Sequence, residues 1–129
     1  MDHAVKVSVP ARSGFVGLLR SVVASAGGHL GLSLDDIEDL RLAVNEACAD
    51  LLEHGPEGTV LRLHLAADDG ELTVLVWTNA EVAGWPRTDA HDRLTWRILS
   101  SLTDEATMVR SPDGPAIRLM KRRPARAPG

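Results

Sequence analysis

The chain has 129 residues and a mass near 13.8 kDa, with 44% hydrophobic and 25% charged residues. That is one globular domain, long enough to bury a core without disulfides or a structural metal. Fourteen basic against eighteen acidic residues leave a formal charge of −4, which argues against a general nucleic-acid binder. Three Trp, one Phe and no Tyr leave few rings for base stacking. Cys48 is the single cysteine, so no intrachain disulfide forms. The five histidines (His3, His29, His54, His64, His91) show no pair at helical ligand spacing. No basic start with an apolar block opens the chain, and no apolar run reaches the ~20 residues of a bilayer span. The expected address is cytoplasmic, with no membrane contact.

Residues 4–9 alternate apolar and polar and predict a strand, stopped by Pro10. Phe15, Leu18, Leu19, Val22, Val23 and Ala26 recur at helical spacing and predict a helix over 11–26, ended by Gly27 and Gly28. Ser33 with Asp36 three residues on is a capping-box-like start. Asp35, Asp36, Glu38 and Asp39 crowd the first turn of this second helix, where the helix dipole favours negative charge. Ile37, Leu40, Val44, Ala47, Cys48 and Leu51 form its buried stripe, and Gly55-Pro56 closes it.

Residues 59–66 and 71–78 read as a hairpin turned by Asp68-Asp69-Gly70. Residues 79–92 lack a period and read as a loop carrying Trp85 next to Pro86. A third helix is predicted over 91–102, with Leu94, Ile98, Leu99 and Leu102 inward. Strands at 105–110 and 116–121 complete the order, and the tail RRPARAPG reads as disordered. Trp77 and Trp96 are expected partly in the core. The pattern predicts an α+β two-layer sandwich: a mainly antiparallel five-stranded sheet with three helices on one face.

Glu46, Asp50 and Glu53 lie at i, i+4 and i+7 and share a helix face, with Asn45 at its margin. Two carboxylates one turn apart can hold a divalent cation or take a proton, and equally can solvate a helix. Residues 33–57 hold eight acids (Asp35, Asp36, Glu38, Asp39, Glu46, Asp50, Glu53, Glu57) against one base, Arg41. Such a face complements a basic protein surface.

The segment DLRLAVNEACADLLEHG (39–55), followed by a hairpin, a loop and LTWRILSSLTDEATMVR (94–110), resembles the anti-sigma factor/serine-protein kinase family. That family has the GHKL (Bergerat) ATP-binding fold. The resemblance covers about residues 4–122 and implies one GHKL-like domain over 1–122 with a basic tail over 123–129. Leu40, Ala43, Val44, Glu46, Ala47 and His54 match the family's helix pattern. By resemblance Glu46 is the general base, and Asp50 takes the place of the family's Mg²⁺-binding Asn. The family's adenine-reading Asp-x-Gly-x-Gly box is replaced by Trp77-Thr78-Asn79-Ala80-Glu81-Val82, where Asn79 is the available amide partner. The Gly-x-Gly at the start of the third helix is replaced by Arg93 and Thr95, and Gly-Thr before the last strand by Gly114-Pro115. Side chains at 93 and 95 crowd a phosphate cradle made of bare backbone, although Arg93 can itself hold a phosphate.

The resemblance therefore implies a degenerate kinase with no required cofactor: a stress-response regulator that sequesters an alternative sigma factor and is released by a STAS-type anti-anti-sigma partner. The other reading is an active serine kinase of that partner, using Mg-ATP with Glu46 as base and Asp50 on the metal. Glu46, Asp50, Glu53 and an exposed Trp85 are the expected partner contacts; the alternative for Trp85 is that it folds back over the vacated nucleotide pocket. The small and apolar first helix suits a homodimer seam, as the family dimerises. Cys48, on the apolar stripe, is expected to pack and not to sense redox state.

Overall fold

The computed structural model describes residues 4–52, 57–80, 85, 90–112 and 114–122. Strand β1 (Ala4–Pro10) is followed by a 3-10 turn (Ser13–Phe15), α1 (Val16–His29) and α2 (Leu34–Leu52). The hairpin β2 (Val60–Asp68) and β3 (Glu71–Thr78) follows, then α3 (Ala90–Leu102), β4 (Glu105–Ser111) and β5 (Gly114–Arg122). The five strands form one sheet in the order β1-β2-β3-β5-β4, with every pairing antiparallel. This is the two-layer α+β architecture that the hydrophobic pattern predicts. The basic tail and the closing Gly55-Pro56 lie outside the described residues.

Period-two burial sets the layers. Leu61, Leu63 and Leu65 of β2, Leu72, Val74 and Val76 of β3, and Ile117 and Leu119 of β5 face one core. Leu19 and Val23 of α1, the stripe Leu40, Ala43, Val44, Ala47, Cys48 and Leu51 of α2, and Leu99 of α3 fill it from the other side. The β2–β3 hairpin turns through Asp69 (φ 51°) and Gly70 (φ 79°), two consecutive left-handed residues that match the twist of the flanking strands.

α1 departs from its predicted bounds. It starts five residues later than expected and runs through Gly27 and Gly28 to His29. Gly31 (φ 78°) is the true stop: the Leu32 N–H reaches Gly27 O at 3.0 Å and the Gly31 N–H reaches Gly28 O at 3.1 Å. That pair of bonds is a Schellman cap, which needs one left-handed residue rather than a helix-breaking pair. Gly27 stays helical because α2 presses on it. A β-carbon there would stand 3.1 Å from Ile37 Cγ1 and 3.3 Å from Leu32 Cδ1. α2 starts as predicted, with the Asp36 N–H donating to Ser33 Oγ at 3.1 Å.

Several expected core residues are exposed: Phe15 at 40%, Leu18 at 51%, Leu94 at 57% and Trp96 at 40%. Phe15 closes the 3-10 turn, which buries none of its residues, and the other three lie on helices that bury only a narrow stripe; spacing alone does not say which of two adjacent apolar rows meets the sheet.

Candidate functional site

α2 lies between α1 and α3 and against β3 and β5, so its residues decide what any site in this layer holds. Asp50 is 4% exposed. Glu46, one turn earlier, is half-buried. The solvated acidic face expected from Glu46, Asp50 and Glu53 is therefore corrected at Asp50: it falls on the flank of the buried stripe beside Ala47 and Leu51. Glu53 and His54 lie outside the described residues.

The acidic start of α2 is also partly spent inside the molecule. Lys121 of β5 is 8% exposed and holds its ammonium 3.5 Å from both Asp36 and Asp39. The same ammonium donates to Leu102 O, at the C-terminus of α3, at 3.0 Å. Glu38 pairs with Arg41 at 2.7 Å. One buried lysine thus ties α2, α3 and β5 together, a role that nothing in the linear pattern of the tail-ward strand announces.

Asn79 does not face the layer between sheet and helices. Its Oδ1 accepts the Val60 N–H at 3.0 Å, fixing the start of β2 beside the end of β3. Strand alternation gives the inner position to Thr78, which is fully buried and whose Oγ1 accepts the Ala80 N–H at 3.3 Å. The run Leu72, Val74, Val76, Thr78 was the signal that Thr78 and not Asn79 points inward. Opposite it, Gly114 has φ 138°, and a β-carbon there would stand 2.1 Å from Thr78 O. Gly114, the first residue of β5, is thus required by the close approach of the β3 backbone.

Trp85 is 4% exposed and belongs to the core cluster, and its Nε1–H donates to Val109 O on β4 at 2.8 Å. The expectation of an exposed interface anchor is corrected: the indole folds inward. α3 begins at Ala90, so Thr95 is well inside the helix and 5% exposed. Its N–H belongs to the helical ladder and is not free for a phosphate. Arg93 lies in the first turn of α3; its side chain lies outside the described residues.

Three groups beside the expected nucleotide position are engaged within the protein. The amide partner is committed to Val60, the Thr95 N–H is committed to its helix, and the loop tryptophan is packed into the core. Asp50 remains a buried carboxylate, but no three His, Cys, Asp or Glu side chains gather to hold a metal ion among the described residues. No helix among them is long and apolar enough to cross a membrane.

Cys48 is fully buried on α2. Burial pushes its thiol up to about 12, partly offset by the Arg20 guanidinium, which itself donates to Asn45 Oδ1 at 2.5 Å across the α1–α2 seam. The thiolate is the reactive form. The native protein is therefore expected to resist maleimide labelling at pH 8, with full labelling only on unfolding. The folded value lies above the ordinary one, so the stability that burial of the neutral thiol contributes is present below about pH 9 and is lost as pH rises toward about 12. A denaturant titration between those values checks it.

A five-stranded antiparallel sheet under three helices, with a central helix carrying the acidic residues, defines an ATPase-like α+β domain. The chain belongs to the histidine kinase-like ATPase domain family, whose model matches residues 9–121. It is similar to the serine-protein kinase RsbW of Halalkalibacterium halodurans, 41% identical over 75 residues, covering 56% of this chain and 46% of that protein. The serine-protein kinase RsbW of Bacillus cereus is 28% identical over 71 residues, covering 55% of this chain and 39% of that protein. The chain thus matches less than half the length of these curated relatives. Among solved structures, the RsbU and RsbW domains of Rv1364c from Mycobacterium tuberculosis match with a TM-score of 0.70 at 21% identity, covering 96% of this chain and 34% of that one. The histidine kinase domain of Erythrobacter litoralis EL346 matches with a TM-score of 0.55 at 16% identity, covering 88% and 61%. At those identities the two structures speak for the fold alone.

Proposed function

We propose that this protein is an anti-sigma factor that works by binding: it sequesters an alternative sigma factor in a bacterial stress response and releases it when a STAS-type anti-anti-sigma partner takes its place. Similarity to two proteins named serine-protein kinase RsbW supports the anti-sigma factor/serine-protein kinase family, and their printed names speak equally for the kinase reading. The observation that carries the non-catalytic part is Trp85, folded into the core with its indole N–H spent on Val109. The commitment of Asn79 to Val60 adds to it. A packed core has no room to spare for a ligand of nucleotide size without moving such a side chain. One observation favours the kinase reading: Asp50 and Glu46 keep two carboxylates one turn apart, with Asp50 shielded from bulk water, where a cation binds more strongly.

Thermal unfolding separates the two. A ligand of the native state raises stability in proportion to the logarithm of its excess over Kd, about 2.7 kcal/mol at a hundredfold excess. Millimolar Mg-ATP is expected to leave the melting temperature unchanged. A saturable rise that disappears in Asp50→Ala, together with phosphate transfer to a serine of the STAS partner that Glu46→Gln abolishes, would establish the kinase instead. The anti-sigma role is tested by co-purification with the sigma factors of the same organism. A stoichiometric complex is the expected result, and failure to form one with any of them refutes the reading.

A further inference from the structure

The sheet surface turned away from the helices is not covered by any described helix. On it, the strand registers align two rows of side chains. Lys6 faces His64, His64 faces Leu75, Leu75 faces Arg118, and Arg118 faces Thr107. In the neighbouring row Ser8 faces Arg62, Arg62 faces Trp77, Trp77 faces Ala116, and Ala116 faces Val109. Neither row contains an Asp or a Glu. Three acids reach this surface farther along the strands, Asp68, Glu71 and Glu105; Arg122 pairs with Glu71 at 3.2 Å and approaches Glu105 at 4.0 Å. The two rows themselves carry three cations, Lys6, Arg62 and Arg118, and no acid, while the acids gather at one end of the strands. The chain as a whole is at −4.

The centre of this surface is apolar. Trp77 is 5% exposed and sits edge-on to His64, with ring centroids 4.4 Å apart. Leu75 beside it is half-buried. The Trp77 indole N–H is buried and has no acceptor among the described residues.

We propose that this sheet face is a docking surface for an acidic amphipathic helix of a partner protein. The helix would lay its apolar stripe over Leu75 and the rim of Trp77 and turn its flanking carboxylates to Lys6, Arg62 and Arg118. The dimensions agree. From Lys6 to Arg118 the row crosses four strands, about 14 Å at the usual strand spacing. A helix with its side chains is about 10–12 Å across. A nucleic acid fits worse. The surface offers a single tryptophan for stacking among the described residues, and its three cations span only those 14 Å, too short a track for a phosphate backbone. The inference does not depend on the anti-sigma reading, since it needs neither a sigma factor nor nucleotide.

The test uses the isotope-labelled full chain and a synthetic peptide of about 18 residues, helical, with leucines three and four apart and glutamates flanking them. Saturable amide shifts confined to the two rows around Arg62, His64, Leu75 and Arg118 are expected. Arg62→Glu with Arg118→Glu should weaken the peptide by about tenfold or more, and Lys6→Glu by a smaller factor, all with steeper loss at high salt. Lys6 is exposed on the edge strand, so its variant keeps the test decisive should the double variant melt early. The proposal is overturned by shifts that map to the helical layer, or by no saturation at millimolar peptide. Tighter binding of duplex DNA or phosphatidylserine vesicles, with the same dependence on Arg62 and Arg118, overturns it in favour of that anion.

Discussion

Gly114→Ala is expected to lower the melting temperature by about 10–20 °C. Gly114 opens β5 with φ 138°, a backbone region that side chains rarely enter. A β-carbon would also stand 2.1 Å from Thr78 O and 3.3 Å from its carbonyl carbon. Those are backbone atoms of the adjacent central strand, so no rotamer change relieves them. Strain at such a position costs about 1–3 kcal/mol and forced overpacking a similar amount. Together, about 3–5 kcal/mol converts to the stated shift for a domain of this size. Gly28→Ala is the control. It is helical and exposed with nothing within 4 Å of a built β-carbon, so it should hold or gain about 0.5–1 kcal/mol. If both variants melt alike, the crossing of β3 and β5 is not as described.

Trp85→Ala is the second large effect, about 3–5 kcal/mol by denaturant unfolding. The indole is 4% exposed within the core cluster, and its removal leaves a cavity as well as a lost hydrogen bond to Val109 O. Trp85→Phe keeps most of the packing and should cost only about 1–2 kcal/mol, the share of the lost bond and the smaller ring. The pair of variants also separates structure from recognition. A docking anchor on the surface would lose partner affinity at unchanged stability. The expected result is the reverse: loss of stability in proportion to lost volume. Mg-ATP binding gained by Trp85→Ala would further mark the ring as the occupant of space that nucleotide needs.

The helix-and-strand plan was legible because each element has a plain local cause. Period-two burial made β2 and β3, the Ser33 cap set the start of α2, and Asp69-Gly70 turned the hairpin. The same local rules failed where a second element intervened. Gly27-Gly28 looks like a helix stop, yet α2 packs on Gly27 and the Schellman bonds need only Gly31. Leu94 and Trp96 occupy apolar positions of α3, yet the row actually chosen runs through Thr95 and Leu99.

The candidate site divides the same way. Linear spacing put Glu46 and Asp50 one turn apart, and that is true in the fold. Spacing could not say that Asp50 is buried, because burial depends on how far α2 rolls toward β3 and β5. Strand parity is written in Leu72, Val74, Val76 and Thr78 and assigns the inward position to Thr78, whereas Asn79, prominent by its place in the family's adenine-reading box, instead holds the Val60 N–H. Lys121 was out of reach of any one-dimensional pattern. Its salt bridges to Asp36 and Asp39 span 85 and 82 residues of sequence.

The amino-acid order by itself fixed the elements, their layers and the family they belong to, since periodicity, caps and turn residues act within a few positions of one another. The fold alone decided which polar groups are used up internally and which remain available: Asn79 on β2, Trp85 in the core, Asp36 and Asp39 on Lys121, and Lys6, Arg62 and Arg118 in two outer-sheet rows that hold no acid. Those outcomes depend on distances between residues far apart in the chain, and only packing the helices onto the sheet sets them.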